Sequence, residues 1–350
     1  MSGWVGTQDP VQKALGLERL GAALADVLGD EAWRAATGRL ITGGKSNLTF
    51  EVTCPSGSVV VRRPPTGGVL PGAHDMRREA MVQQALAGTQ VPVPRILLVD
   101  DGEIIGLPVY VMEKVDGHVV RDSLPEGYAT SAYERTRLAD GLVGSLIELH
   151  SINPSSVGLA DYGRPSGFVE RQVRLWARQW DLSKTHDVPQ MDELRHRLSV
   201  DPPAPQRHSI VHGDFRMDNC ILARAEPGAV AAVLDWELST LGDPLTDFAQ
   251  FLSYWKEPDD PRSTVIPNLT AEPGFPTRRH LTSRYAEHTE LDMSDLPYYL
   301  GLAHFKFAAI VQGIAARSRA GAMAGQDFGD LDREVVMVAE QGLAALAGAH

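Results

Sequence analysis

The stretch that most constrains how this chain folds is residues 209–237, SIVHGDFRMDNCILARAEPGAVAAVLDWE. Two short apolar pieces, Ser209–Val211 and Cys220–Leu222, flank a polar loop that carries His212, Asp214, Asp218 and Asn219. A turn at Glu226-Pro227-Gly228 then feeds an apolar run over 229–234, which stops abruptly at Asp235. Apolar runs of this length bounded by turn residues read as strands. Strand ends and the loops between them are where a rigid frame holds reactive groups. Asp214 stands five residues before Asn219, and Asn219 stands sixteen before Asp235. Phosphoryl transfer asks for a carboxylate that orients the attacking hydroxyl and for oxygen donors that hold magnesium against the phosphates. Carboxylate and amide oxygens are the hard ligands that magnesium prefers. The spacing therefore nominates Asp214 as base or orienter and Asn219 and Asp235 as the metal ligands. The competing reading is a polar turn with a capping network; order, spacing and strand context together favour the chemical one.

A second stretch, ITGGKSNLTFEV over 41–52, ends like a phosphate-binding loop at Gly44-Lys45-Ser46. A P-loop requires a glycine five residues before its Gly-Lys, and that position is Arg39. It also runs from a strand into a helix. Here NLTFEVT, a PSG turn and SVVVRR follow, which read as strand, turn, strand. The P-loop reading fails on both counts.

The remainder of the chain fits one large domain or two of ordinary size, since 350 residues can bury substantial cores. A net charge of −12 excludes broad electrostatic attraction to nucleic acid or to an anionic membrane, so an anionic ligand must be held by local positive charge or a metal. Cys54 and Cys220 form neither a disulfide framework nor a metal-ligand spacing. No secretory signal is expected from MSGWVGTQDP, and no uninterrupted apolar run approaches membrane-spanning length. A reduced, cytoplasmic protein with a small-molecule partner is the expectation.

An amphipathic pattern predicts a helix over 11–29, three strands follow, and 74–86 reads as a helix with Val82, Ala85 and Leu86 at helical spacing. Two more strands flank a short turn near 106, which gives five mostly antiparallel strands and one inserted helix. From Ser123 the pattern is mainly helical, with a long helix ending at His150, a small β region over 209–236, and a Pro-rich surface loop over 258–276. The expected division is a β-rich lobe over 1–115 and a helical lobe over 116–350.

His-Gly-Asp, four residues, Asn, then an apolar strand ending in Asp resembles the aminoglycoside phosphotransferase family, over nearly the whole chain. The resemblance implies an α+β protein-kinase-like bilobal fold, ATP and Mg2+ as cofactors, and a hydroxyl acceptor. It makes Asp214 the catalytic carboxylate and Asn219 and Asp235 the metal ligands. It implies that the hairpin carrying Gly44, Lys45 and Ser46 covers the nucleotide phosphates. It also implies that Arg62 contacts phosphates while paired to Glu79, and that backbone groups of Glu113 and Val115 bond adenine. Glu79 shares a helical face with Val82 and Leu86, which independently points its charge inward. An Arg where protein kinases use Lys leaves the main phosphate contact open between Arg62 and Lys45.

The stretches around 161–180, 234–249 and 305–321 look more like the kinase-like domain fused to some acyl-CoA dehydrogenases than like resistance enzymes. That subgroup implies a hydroxyacyl thioester as acceptor. An aminoglycoside or amino alcohol is the alternative acceptor, and a degenerate nucleotide-binding module or a metal-dependent hydrolase are alternatives to catalysis of this kind. Among neighbouring groups, His212 is expected to brace the loop, Asp243 and Asp247 to cap a helix and support it, and His150 to satisfy helix C-terminal carbonyls. Glu237 is either a contact to metal-bound water or structural. Arg171, Arg174 and Arg178 share one face and are read as a solvated stripe, with anion binding behind; Trp176 and Trp180 are read as core.

Overall fold

The computed structural model describes residues 14–41, 47–65, 75–321 and 328–348. The chain divides into two units: the described residues up to Asp116 together with Ala232–Glu237, and residues 117–231 together with 238 onward.

The first unit is built on a five-stranded antiparallel sheet in the order β1-β2-β3-β5-β4. Its strands are β1 (Thr37–Leu40), β2 (Leu48–Cys54), β3 (Gly57–Arg63), β4 (Ile96–Asp100) and β5 (Val109–Glu113). Successive strand side chains point to opposite faces, and the sequence uses that period to build two layers. Phe50, Val52, Val59, Val61, Val109 and Val111 form one core with Leu20 and Leu24 of helix α1 (Leu17–Leu28). Val60, Tyr110 and Met112 face the other way, onto Met76 and Ala80 of helix α2 (Met76–Leu86). Arg62, two residues beyond Val60, is thereby directed to the α2 face. The segment 232–237, expected in the second lobe, instead belongs with this unit. The physical reason is its pairing: the Val233 N–H donates to the Pro92 carbonyl at 2.8 Å.

The second unit is mainly helical: α3 (Ala132–Ser151), α4 (Phe168–Ser183), α5 (Pro189–Val200), α6 (Pro244–Tyr254), α7 (Arg278–Thr289), α8 (Leu296–Arg319) and α9 (Leu331–Leu346). Its strands are β6 (His118–Val119), β7 (Ser209–Val211), β8 (Cys220–Leu222), the start of β9 (Val230–Val233) and β10 (Thr240–Gly242). The strands that flank the polar loop do not pair with each other: β7 pairs antiparallel with β10, and β8 with β6. The loop is thus held open by two separate ladders.

Helix α8 is long and apolar enough to cross a membrane by length and composition, although His304 and Lys306 interrupt its apolar run; 72% of its apolar window is buried, as in a core helix. The Pro-rich segment 258–276 is largely irregular and partly exposed, as expected of a surface loop, and it is anchored at its middle. Ile266 and Leu269 are buried, and Thr270 exchanges hydrogen bonds with the Lys256 backbone.

Candidate active site

In the first unit, Arg62 and Glu79 come together as the sequence expects, and the pair is buried, at 7% and 1% exposure. One guanidinium nitrogen lies 3.5 Å from Glu79 and 2.8 Å from Asp235 Oδ1. Glu79 also accepts from Asn47 Nδ2 at 2.7 Å and from the Tyr110 hydroxyl at 3.0 Å. Burial pushes its carboxyl up to about 7, although Arg62 opposes the shift. Burial works against the charge on Arg62, but its anionic neighbours hold the guanidinium firmly protonated. Asn47 Nδ2 reaches Glu237 as well, at 3.2 Å, so one amide ties two carboxylates. Asp235 has φ +66°, a left-handed conformation that Asp tolerates better than most residues but that still costs on the order of 1 kcal/mol. Its carboxylate is 34% exposed, so it is available to a ligand. Glu113 ends β5, with its N–H committed to the Arg95 carbonyl at 2.9 Å, and Val115 lies in the irregular segment that follows. Gly44, Lys45 and Ser46 lie outside the described residues.

In the second unit, the loop between β7 and β8 is gripped from beneath. Asp247 of α6 accepts from the His212 N–H at 2.5 Å and the Gly213 N–H at 2.8 Å. Burial raises its carboxyl, but bonds from His150 and these amides outweigh burial and hold it below the usual carboxylate range. His212 is fully buried and its Nδ1 accepts from the Asp214 N–H at 3.2 Å, the bracing role the sequence suggests. Gly213 has φ +83°, and a Cβ there would meet the Leu238 carbonyl at 2.6 Å, so the turn requires glycine. His150 does not cap its helix. Its Nδ1 bonds the Tyr285 hydroxyl at 2.7 Å and its Nε2 lies 3.4 Å from Asp247, because the ring is buried between α6 and α7 rather than left at the helix end.

Both oxygens of Asp214 are fixed. Oδ1 accepts from Gln250 Nε2 at 2.9 Å, and Oδ2 accepts from Asn219 Nδ2 at 3.1 Å, with Arg216 at 3.4 Å. Asn219 Nδ2 also donates to the Asp214 carbonyl at 2.8 Å. With its nitrogen turned to Asp214, the Asn219 carboxamide presents its oxygen on the opposite side. Taken by themselves, Asn219 in the second unit carries an amide oxygen and Asp235 in the first a carboxylate, each a hard donor of the kind magnesium prefers. Among the described residues no group of three or more His, Cys, Asp or Glu could hold a metal by itself.

A cavity of about 160 Å3 opens beside this loop, within the second unit. Phe168, Leu175, Trp176, Leu302 and Ala303 give it apolar walls, and Lys306 contributes a cation 5.4 Å from the Trp176 ring. Trp176 is therefore a cavity wall rather than core, whereas Trp180 is buried as expected. The arginine stripe is not uniform: Arg171 ties down the Arg164 and Ser166 carbonyls, while Arg174 and Arg178 are exposed.

The model of the phosphotransferase enzyme family matches residues 37–273, which include the groups described in each unit except Lys306 and the other α7–α8 residues. The chain belongs to that family. Acyl-CoA dehydrogenase family member 11 of Pongo abelii is 37% identical to this phosphotransferase-family chain over 311 residues, 86% of the chain and 39% of that protein. The chain thus spans about two fifths of the curated relatives it matches first. A solved protein of Ralstonia eutropha, described as a putative aminoglycoside phosphotransferase, shares 32% identity with a TM-score of 0.80, covering 95% of this chain and 98% of that one. A thermostable mutant aminoglycoside phosphotransferase, solved with ADP and hygromycin B, shares the fold at 14% identity and a TM-score of 0.60, over 94% and 98% of the two chains.

Sequence reading missed Asn47, Tyr110, Arg216, Gln250 and Lys306. For Lys306 a signal existed: a lone lysine within GLAHFKFAAIVQGIAA, an otherwise apolar helix, is buried and partnered more often than solvated. Asn47 carried no such signal, because its role is defined by two carboxylates distant in sequence.

Proposed function

We propose that this chain transfers the γ-phosphoryl group of magnesium-ATP to the hydroxyl of a small-molecule acceptor, foremost a hydroxyacyl thioester. The observation that carries the reading is the immobilised Asp214 carboxylate, held on both oxygens within a loop whose backbone is clamped by Asp247. Such a group orients an attacking hydroxyl without reorganising at the moment of reaction. Asn219 and Asp235 supply protein oxygens to magnesium, which when bound neutralises charge on the phosphates. Arg62, kept charged by Glu79 and Asp235, steadies the phosphates. Glu113 and Val115 offer backbone groups to adenine, so the first unit, with its returning segment 232–237, is the nucleotide-binding one and the second carries the Asp214 loop and the acceptor. A relative of this fold solved with ADP supports nucleotide use.

The acceptor class is supported by the cavity. Its walls are apolar and its charged side chains are Lys306 and Asp247, the latter already spent on two backbone amides. A neutral or anionic acceptor with an apolar body suits it better than a polycation, which would need unspent carboxylates. The acyl-CoA dehydrogenase relatives favour the same class. The name of the Ralstonia protein favours the second acceptor, an aminoglycoside.

The test is phosphate transfer from magnesium-ATP to a panel of hydroxyacyl thioesters, aminoglycosides and amino alcohols, with product detected by mass. A phosphorylated hydroxyacyl thioester, absent with Asp214→Asn, is the expected result. Transfer at full rate by Asp214→Asn would overturn the mechanism, and transfer to aminoglycosides alone would overturn the acceptor class.

A further inference from the structure

Helix α8 sends one charged group into the site from far along the chain. Lys306 Nζ donates to the Gly213 carbonyl at 2.6 Å and to Gln250 Oε1 at 2.5 Å. Gln250 in turn donates from Nε2 to Asp214 Oδ1 at 2.9 Å. Gln250 is 5% exposed, so its amide has no solvent to satisfy either end. Lys306 lies beyond the span matched by the family model.

An amide side chain can present either its oxygen or its nitrogen to a given neighbour. An ammonium only donates and a carboxylate only accepts, so the two neighbours of Gln250 permit one orientation. With the amide reversed, its NH2 would face an ammonium and its oxygen a carboxylate, two repulsive contacts in a poorly solvated place. Lys306 also fixes the Gly213 carbonyl, one peptide before Asp214. Burial, with Arg216, pushes the ammonium toward its neutral form and Asp214 and Asp247 oppose the shift; both of its close contacts are to accepting oxygens.

We infer that Lys306 is a positioning residue for Asp214: it orients the Gln250 amide so that Nε2 donates to Asp214 Oδ1, and it pins the peptide that precedes that carboxylate. The inference rests on the reading of Asp214 as the group that orients the acceptor hydroxyl. It does not require Lys306 to touch either substrate. A residue acting through Gln250 leaves a signature that a merely stabilising residue does not: its effect on turnover depends on Gln250.

The experiment is a double-mutant cycle of Lys306→Met and Gln250→Leu on kcat for phosphoryl transfer from magnesium-ATP to 3-hydroxybutyryl-CoA, with thermal melts for folding. Each single change is expected to lower kcat about tenfold or more while KM for ATP stays within about twofold. The double variant is expected to be no slower than the slower single. Losses that multiply, or a Lys306→Met enzyme with unchanged kcat, would overturn the inference. A crystal structure of Lys306→Met tests the same point without catalysis. Gln250 should leave hydrogen-bond distance of Asp214 Oδ1; Gln250 still in place there, with the Gly213 peptide unmoved, overturns the relay. Transfer that survives Asp214→Asn strikes the underlying reading instead, and the crystallographic arm still decides whether Lys306 orients Gln250.

Discussion

At the scale of single residues, the most informative group is Glu79. Its carboxyl is raised by burial to about 7, so the folded protein favours the protonated form relative to the unfolded chain, where the ordinary value is 4.5. The stability linked to that proton is fully present below about pH 4.5 and is lost as pH rises through 7. Glu79→Gln carries no such proton. The difference in unfolding free energy between wild type and Glu79→Gln should therefore move in the variant's favour by on the order of 2–3 kcal/mol between pH 4.5 and 7.5. Urea denaturation across that range measures it, and a gap that stays constant would show that Arg62, Asn47 and Tyr110 keep Glu79 ionised throughout. The ion pair itself was legible, because Glu79 sits on the apolar face of α2 and Arg62 follows Val60 by two residues on β3, on the same face. The tie from Asn47 to Glu237 was not legible, since the two stand 190 positions apart.

Among the elements, those with long local patterns were readable. Strands β2, β3 and β5 and helix α2 carry their own periodicity, and the structure places them where alternation and helical spacing indicate. Strands β6 and β10 are two and three residues long and owe their identity to partners elsewhere, so no local pattern marks them. His150 was misjudged for a similar reason: helix position suggested a cap, while the packing of α7 and α6 decided its partners. Helix α4 offers a test of the cavity. Leu175 lines it yet is 44% exposed, so Leu175→Asp should change stability by only about 0.5 kcal/mol. A carboxylate at that wall should raise KM for a hydroxyacyl-CoA several-fold without changing KM for ATP. Equal KM values for the thioester in both enzymes would remove the cavity from the acceptor's path.

For the molecule as a whole, a net charge of −12 means that affinity for any anionic ligand must come from local groups or from a metal. Magnesium-ADP at about a hundred times its dissociation constant should stabilise the fold by about 2.7 kcal/mol, visible as a rise in Tm of several degrees. Asp235→Asn should shrink that rise and remove its dependence on magnesium. An undiminished, magnesium-dependent shift in that variant would take Asp235 out of the metal site. The two-unit plan was foreseeable from the change of pattern near residue 115, but the return of 232–237 to the first unit was not. That return is decided by one strand finding the Pro92 backbone and one carboxylate finding Arg62, contacts that leave no mark in composition.

The same discontinuity bears on how the protein is made. Ribosomes add about 5–20 residues per second, so Asp235 emerges on the order of ten seconds after the last residue of β5. Until then the nascent first unit holds Arg62 without Asp235 and leaves the place of Val233 beside Pro92 empty. Its completion waits on synthesis of the loop that follows β7, so a message truncated between the two would yield all five strands of the sheet but neither the Val233–Pro92 bond nor the Asp235 partner of Arg62.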